Sequence, residues 1–284
     1  MKINIVTTIA IAFIIFACMS DNIYGIEFLT GRGTSIGGTI DLSNPTASEL
    51  VELPIGRIGD GQWKFESGYH RQFDLSELDV IYFAVAGRWR YVSLSVGISQ
   101  FGQSDLFTEK TLKTSAAFHY GDFSLGTSLS GIIIDVGVDQ GHFRSTAFGF
   151  SGIYRFPKML VAFSVDDINS PTPYEGAKAA SPRFSGMAEF TGGKSYSIIA
   201  RVIAQENESP QLGIGQRIDL SATASFNWGV RSEPLMYGAG IEIDIDRGRL
   251  SYGTMVHPVL GLTHSISLSL GFGKSHSNTG DEFD

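Results

Sequence analysis

The chain has 284 residues, of which 43% are hydrophobic and only 18% charged, below the rough quarter usual for soluble domains. Prolines are few (9), which argues against low-complexity disorder, and a net charge of −8 without a basic patch argues against nucleic acid as a partner. The lone cysteine, Cys18, excludes an internal disulfide.

Residues 1–25 read as an export signal: Lys2 is the positive start and Ile5 to Phe16 an apolar run of signal-core length. Cleavage is expected after Ser20 or Gly25; a rival reading takes Ile15-Phe16-Ala17-Cys18 as a lipoprotein box, with bulky Phe16 against it. That run is too short to span a bilayer, and no later segment offers 18 consecutive apolar residues. A closed barrel can still cross a membrane, because it satisfies every backbone group internally.

Residues 26–60 are expected to form a short plug or hatch segment. Within it, Gly31, Gly33, Gly37 and Gly38 predict a flexible turn, followed by the pair Asn44-Pro45. GRGTSIGG (31–38) matches neither dinucleotide nor Walker spacing, so a phosphate loop is not favoured. Residues 47–53 are expected to make one short turn of helix.

From there the chain alternates with period two, as pleated ribbons do. In 91–99, Val92, Leu94, Val96 and Ile98 alternate with Ser93, Ser95, Gly97 and Ser99. In 263–272, Ile266, Leu268, Leu270 and Phe272 alternate with Ser265, Ser267, Ser269 and Gly271. Strands are predicted near 62–72, 79–89, 91–101, 110–120, 122–134, 143–156, 159–166, 183–191, 195–205, 210–217, 218–230, 235–246, 249–257 and 263–273. Turn signals such as Asp60-Gly61 and Arg247-Gly248 separate them, 167–182 and 206–210 are the longer loops, and 274–284 is a polar tail.

Face chemistry decides between a soluble sandwich and a membrane barrel. One face is greasy and carries aromatics near turns: Trp63, Phe101, Tyr120, Phe123, Phe156, Tyr196, Trp228 and Tyr237. The other is mostly Ser, Gly, Ala and Thr, without the Lys and Glu that a water-facing surface carries. Aromatic girdles and small inward residues fit an outer-membrane barrel. The predicted fold is all-β: a closed antiparallel transmembrane β-barrel of about fourteen strands, residues 61–273, with the N-terminal plug in its lumen.

Charged exceptions fall on the inner face. Lys64, Glu66, His70, Lys113, His119, Arg201, Glu242, Asp244 and Asp246 are the lumen-facing candidates. Glu242, Asp244 and Asp246 form a carboxylate ladder that could hold a hard cation; the favoured alternative is a polar row neutralised by Arg247, Arg249, Arg201 or Lys113. His70, His119, His257 and His264 lack HExxH-like spacing, and His257 and His264 flank a turn they are expected to cap. No GxSxG elbow occurs, so a serine hydrolase is not expected, and no catalytic centre, metal or cofactor is assigned.

Three stretches carry a family resemblance: TGRGTSIGGTIDLSNP (30–45), MLVAFSVDDINSPTPYEGAKAASPRFSGMAEF (159–190) and LSYGTMVHPVLGLTHSISLSLGF (250–272). Together they resemble the PorV/PorQ-like barrels, in the superfamily of the FadL fatty-acid transporter. The first segment and the loops are shorter than is usual there. The resemblance implies a bacterial outer-membrane location and a non-enzymatic role in protein export or surface attachment. Its partners would be outer-membrane lipid and secreted cargo or secretion-system components. The alternatives are FadL-like passage of small hydrophobic molecules and a structural envelope scaffold. A lumen filled by the plug and by inward Arg–Asp pairs would count against passage.

Overall fold

The computed structural model describes residues 30–56, 58–103, 107–136, 142–172, 179–192 and 195–273. The expected signal and polar tail lie outside the described residues.

Two short helices come first, α1 (Gly31–Ser35) and α2 (Ala47–Glu52). Thr30 caps α1 by accepting from Gly33 N. A reciprocal capping box holds α2: Thr46 Oγ1 accepts from Glu49 N, and the Glu49 carboxylate accepts from Thr46 N. Fourteen strands follow. They are β1 (Trp63–Arg71), β2 (Asp79–Trp89), β3 (Val92–Gln103), β4 (Phe107–Tyr120), β5 (Phe123–Val136), β6 (His142–Phe156) and β7 (Met159–Asp166). Then come β8 (Arg183–Thr191), β9 (Tyr196–Gln205), β10 (Gln211–Asp219), β11 (Ala224–Arg231), β12 (Met236–Ile245), β13 (Gly248–His257) and β14 (Gly261–Phe272).

Every strand pairs antiparallel with its sequence neighbour, and β14 pairs back with β1, from Trp63 opposite Phe272 to Arg71 opposite His264. The sheet is therefore a closed barrel with no free edge along its closing seam. The predicted strand over 218–230 is corrected. Its first residues, Ile218 and Asp219, belong to β10, and the chain turns where Leu220 N and Ser221 N donate to Ala224 O.

Side-chain parity separates the faces. In β3, Ser95 is 5% exposed and Val96 is 45% exposed. Ile243, Leu268 and Ile266 also face outward. On β5 the outward apolar row runs from Phe123 to Ile133. A tilted strand of that length covers about 25 Å, the height of the apolar band on outer-membrane barrels. Trp63, Trp89, Tyr91, Tyr120, Phe156 and Tyr196 ring the end with the tighter turns. At Ile133 and beyond, the outward residues turn polar: Lys110 and the exposed Arg144 flank Ile133 on the neighbouring strands, and Lys110 pairs with Asp135 at 3.4 Å. That end carries the longer connections, the arrangement expected for the extracellular side.

The lumen is full. Almost all of residues 30–56, and Ile58, are buried. Leu50, Val51 and Ile58 pack on Tyr82, Ala84 and Ala86 of β2. Leu42, Leu53 and Ile55 pack on Ala117, Ile153, Ala162 and Met187. The wall makes room by omitting side chains. A Cβ on Gly229 would lie 2.4 Å from the Ile36 carbonyl carbon, and one on Gly253 would lie 1.9 Å from the Gly31 oxygen.

Candidate functional site

Arg32 sits at the centre of the filled lumen, fully buried on α1. Its Nη1 donates to Asp41 and, at 3.2 Å, to the Asn44 carbonyl. Its Nε lies 3.0 Å from Glu242, and its Nη2 lies 3.6 Å from Glu49. Arg217 reaches the same Asp41 carboxylate at 3.3 Å, and Arg249 reaches Glu242 at 3.5 Å. Burial opposes ionisation of Asp41, but Arg32 and Arg217 overcome it and hold the carboxyl well below the usual range. For Glu49 burial wins over Arg32, and its pKa is raised to about 7. Glu189 accepts from Leu42 N at 2.7 Å and Ser43 N at 3.0 Å, so the inner segment is tied to the wall through its backbone.

The sequence-derived candidates fall into this frame unevenly. Lys64 donates to the Pro45 carbonyl at 2.6 Å and to Asn44 at 3.3 Å. Glu66 takes Ser48 N at 3.0 Å and also the Ser48 hydroxyl. His70 is buried on β1 with no partner at Nδ1 among the described residues. His119 bridges Ser93 and Ser124 at 2.9 and 2.8 Å. Arg201 donates to the Gly38 carbonyl at 2.6 Å. Asp244 faces Arg249 at 2.6 Å. Asp246 differs: it stands exposed in the β12–β13 turn with φ 49°, so the ladder has two rungs. Glu242 and Asp244 are met by Arg249, which favours the neutralised polar row over a cation site. Gly31 and Gly33 lie in α1 rather than a turn, while Gly37 and Gly38 take the positive φ, 70° and 76°. His257 caps its turn by accepting from Val259 N and Leu260 N. His264 instead meets Tyr252 at 2.7 Å and Asp74 at 3.3 Å.

Toward the loop end a small open cavity of about 50 Å³ remains between β4 and β8. Lys113 forms an ion pair with Glu52 of α2 at 2.8 Å and Asp166 at 3.6 Å, and Arg183 lies 3.9 Å from Asp166. Glu109 and Asp167 also line it, and burial raises the Asp167 pKa. Ile132, Ala147 and Phe148 form its apolar flank, along β5 and β6.

The wall is incomplete beside that flank. β7 pairs with β6 only from Phe150 to Phe156, so His142–Gly149 has no strand partner on that side among the described residues. Asn169 stands in for one. Its Oδ1 accepts from Phe148 N at 3.0 Å, its Nδ2 donates to the Thr146 carbonyl at 2.7 Å, and Ile168 N donates to the Phe148 carbonyl at 3.0 Å. Outside this break, Phe148 is exposed at the upper rim of the apolar band.

No family model and no curated protein match the chain. Solved structures do. The toluene transporter TbuX of Ralstonia pickettii superposes with a TM-score of 0.61 at 10% identity, over 89% of this chain and 99% of that one. The CymD monoaromatic hydrocarbon channel gives 0.66 at 9% identity, over 89% and 100%. The Pseudomonas putida toluene transporter TodX gives 0.61 at 7% identity, over 88% and 98%. At these identities the likeness is one of fold, and it does not extend to the PorV/PorQ assignment. The chain thus shares its fold with these transporters and channels along almost its whole described length.

Proposed function

We propose that this chain is a non-enzymatic outer-membrane barrel that lets small hydrophobic molecules pass sideways through its wall. The observation that carries the reading is the interrupted ladder between β6 and β7 beside a cavity. The axis of the barrel is filled, among the described residues, by 30–56 and Ile58, whose buried ion pairs stand across the route an ion would take. A hydrophobic solute needs no such path. It enters the cavity at the loop end along Ile132, Ala147 and Phe148 and leaves past the Asn169 bridge into the bilayer. Three polar contacts close that seam, where a ladder would have supplied a longer row.

The hydrocarbon channels of like fold support this reading over protein export, for which the geometry offers no observation of its own. The filled lumen favours a second reading, a structural scaffold with no passage at all. The experiment that separates them is uptake of N-phenylnaphthylamine by proteoliposomes with lipopolysaccharide in the outer leaflet. Wild-type chain is expected to speed uptake, and Ala147→Trp, which fills the cavity beside the seam, to abolish it while the barrel stays folded. Equal uptake with and without protein supports the scaffold.

A further inference from the structure

The same strand carries a second feature, above the seam and independent of passage. Phe148 N and O both point away from β5, toward Asn169 and Ile168. By the alternation of an antiparallel ladder, Thr146 and Arg144 present their backbone groups on the same side. The Thr146 carbonyl is taken by Asn169; Thr146 N–H and the Arg144 N–H and carbonyl have no partner among the described residues. Lys110 and Arg144 stand opposite Ile133, the last residue of the apolar row, and Asp135 lies beyond it, so this edge sits at the rim of the band, where an incoming strand can reach it from the water side. Inward positions beside Ser145 and Ala147 open onto the cavity, whose lining holds four carboxylates (Glu52, Glu109, Asp166, Asp167) and two cations (Lys113, Arg183), a formal −2. Outward, the exposed Arg144 side chain asks for a carboxylate.

We infer that the upper edge of β6, Arg144 to Thr146, is a strand-addition site for an extended polypeptide with basic residues on its inward side and an acidic residue facing Arg144. Main-chain bonds to the open edge supply affinity and the alternating charges supply register. A second copy of this chain fits less well, because pairing the two edges sets two Arg144 guanidiniums close together on one face.

The test uses the full chain in detergent and fluorescence anisotropy of a labelled, blocked peptide, Thr-Lys-Asp-Lys-Thr. Its threonines and aspartate face outward and its lysines inward. Saturable binding is expected, and N-methylating the edge-facing amides of the same peptide should weaken it by about fivefold or more, through loss of the bond to the Arg144 carbonyl and the clash of the added methyls with the edge. Arg144→Pro, which removes an edge donor where proline is tolerated, should weaken it as well. Should that variant fail to fold, the N-methylated peptide decides alone. Equal binding of the methylated peptide would mean mere charge adsorption and overturn the inference. So would the absence of saturable binding, or self-association of the chain that Arg144→Pro abolishes.

Discussion

Replacing Arg32 by alanine removes the cation on which three buried carboxylates converge. Taking one partner from a buried ion pair costs about 3–5 kcal/mol, because the remaining charge has lost its compensation. Here the lower end applies. Asp41 keeps Arg217 at 3.3 Å and Glu242 keeps Arg249 at 3.5 Å, while Glu49 can take up a proton. A loss of about 3 kcal/mol raises the local opening of the inner segment by roughly a hundredfold. The barrel wall, held by its own ladders, is expected to stay folded. Hydrogen exchange followed by mass spectrometry reads this directly. Peptides covering 31–53 contain the bonded amides of Thr34, Ile36, Leu50 and Leu53 and should exchange about a hundredfold faster, with β3–β5 unchanged. Arg32→Lys should fall between, since an ammonium cannot fork toward three carboxylates. If Arg32→Ala leaves the protection of 31–53 at the wild-type level, the ion network does not hold the inner segment and the reasoning fails.

Other perturbations follow from the same geometry. Glu49 has a folded pKa raised from 4.5 to about 7, so between those values the seated segment holds a proton that the released segment does not. Its contribution to seating is therefore present at low pH and lost as pH rises through about 7, by about 3 kcal/mol in all. Glu49→Gln should flatten that slope in exchange rates measured from pH 5 to 8. Gly229→Ala puts a methyl into the Ile36 backbone and should unseat α1, with faster exchange at 31–38 and new ion conductance in planar bilayers. Val96→Lys places a charge on the lipid face and should cost about 2–4 kcal/mol in urea titrations of folding into lipid vesicles. Lysine at buried Ser95, one residue away, should instead fail through steric conflict with the Leu50 carbonyl, which Ser95 Oγ contacts at 2.8 Å.

Much of the wall was legible because lipid and lumen impose opposite chemistry on alternate residues. Val92 to Ile98 and Ser265 to Leu270 follow that rule without a break. The rule is blind to turns that preserve alternation: Leu220-Ser221-Ala222-Thr223 has no Gly, Pro or Asn to mark it, so β11 was expected six residues early. The inner segment was legible in part. Residues 47–52 form the expected helix, but α1 was hidden because two of its five residues are glycines, Gly31 being required by the close approach of Ser251 rather than by a turn. Arg32, Asp41 and Glu49 escaped notice because nothing local marks them. Their signal lay in pairing: charges in a small, apolar segment need counter-charges, and strand parity sets Arg217 and Glu242 inward to meet Asp41 and Arg32. Asn169 could not be found from its neighbours, since its role depends on how early β7 stops.

The most direct test of the account follows two fluxes in the same lipopolysaccharide-faced vesicles, potassium and N-phenylnaphthylamine. A barrel shut along its axis and breached beside β6 predicts silence for the ion and accelerated entry for the dye. Potassium leaking alongside the dye would place the path down the lumen, and a still dye signal would leave the breach without a passenger; either contradicts the account.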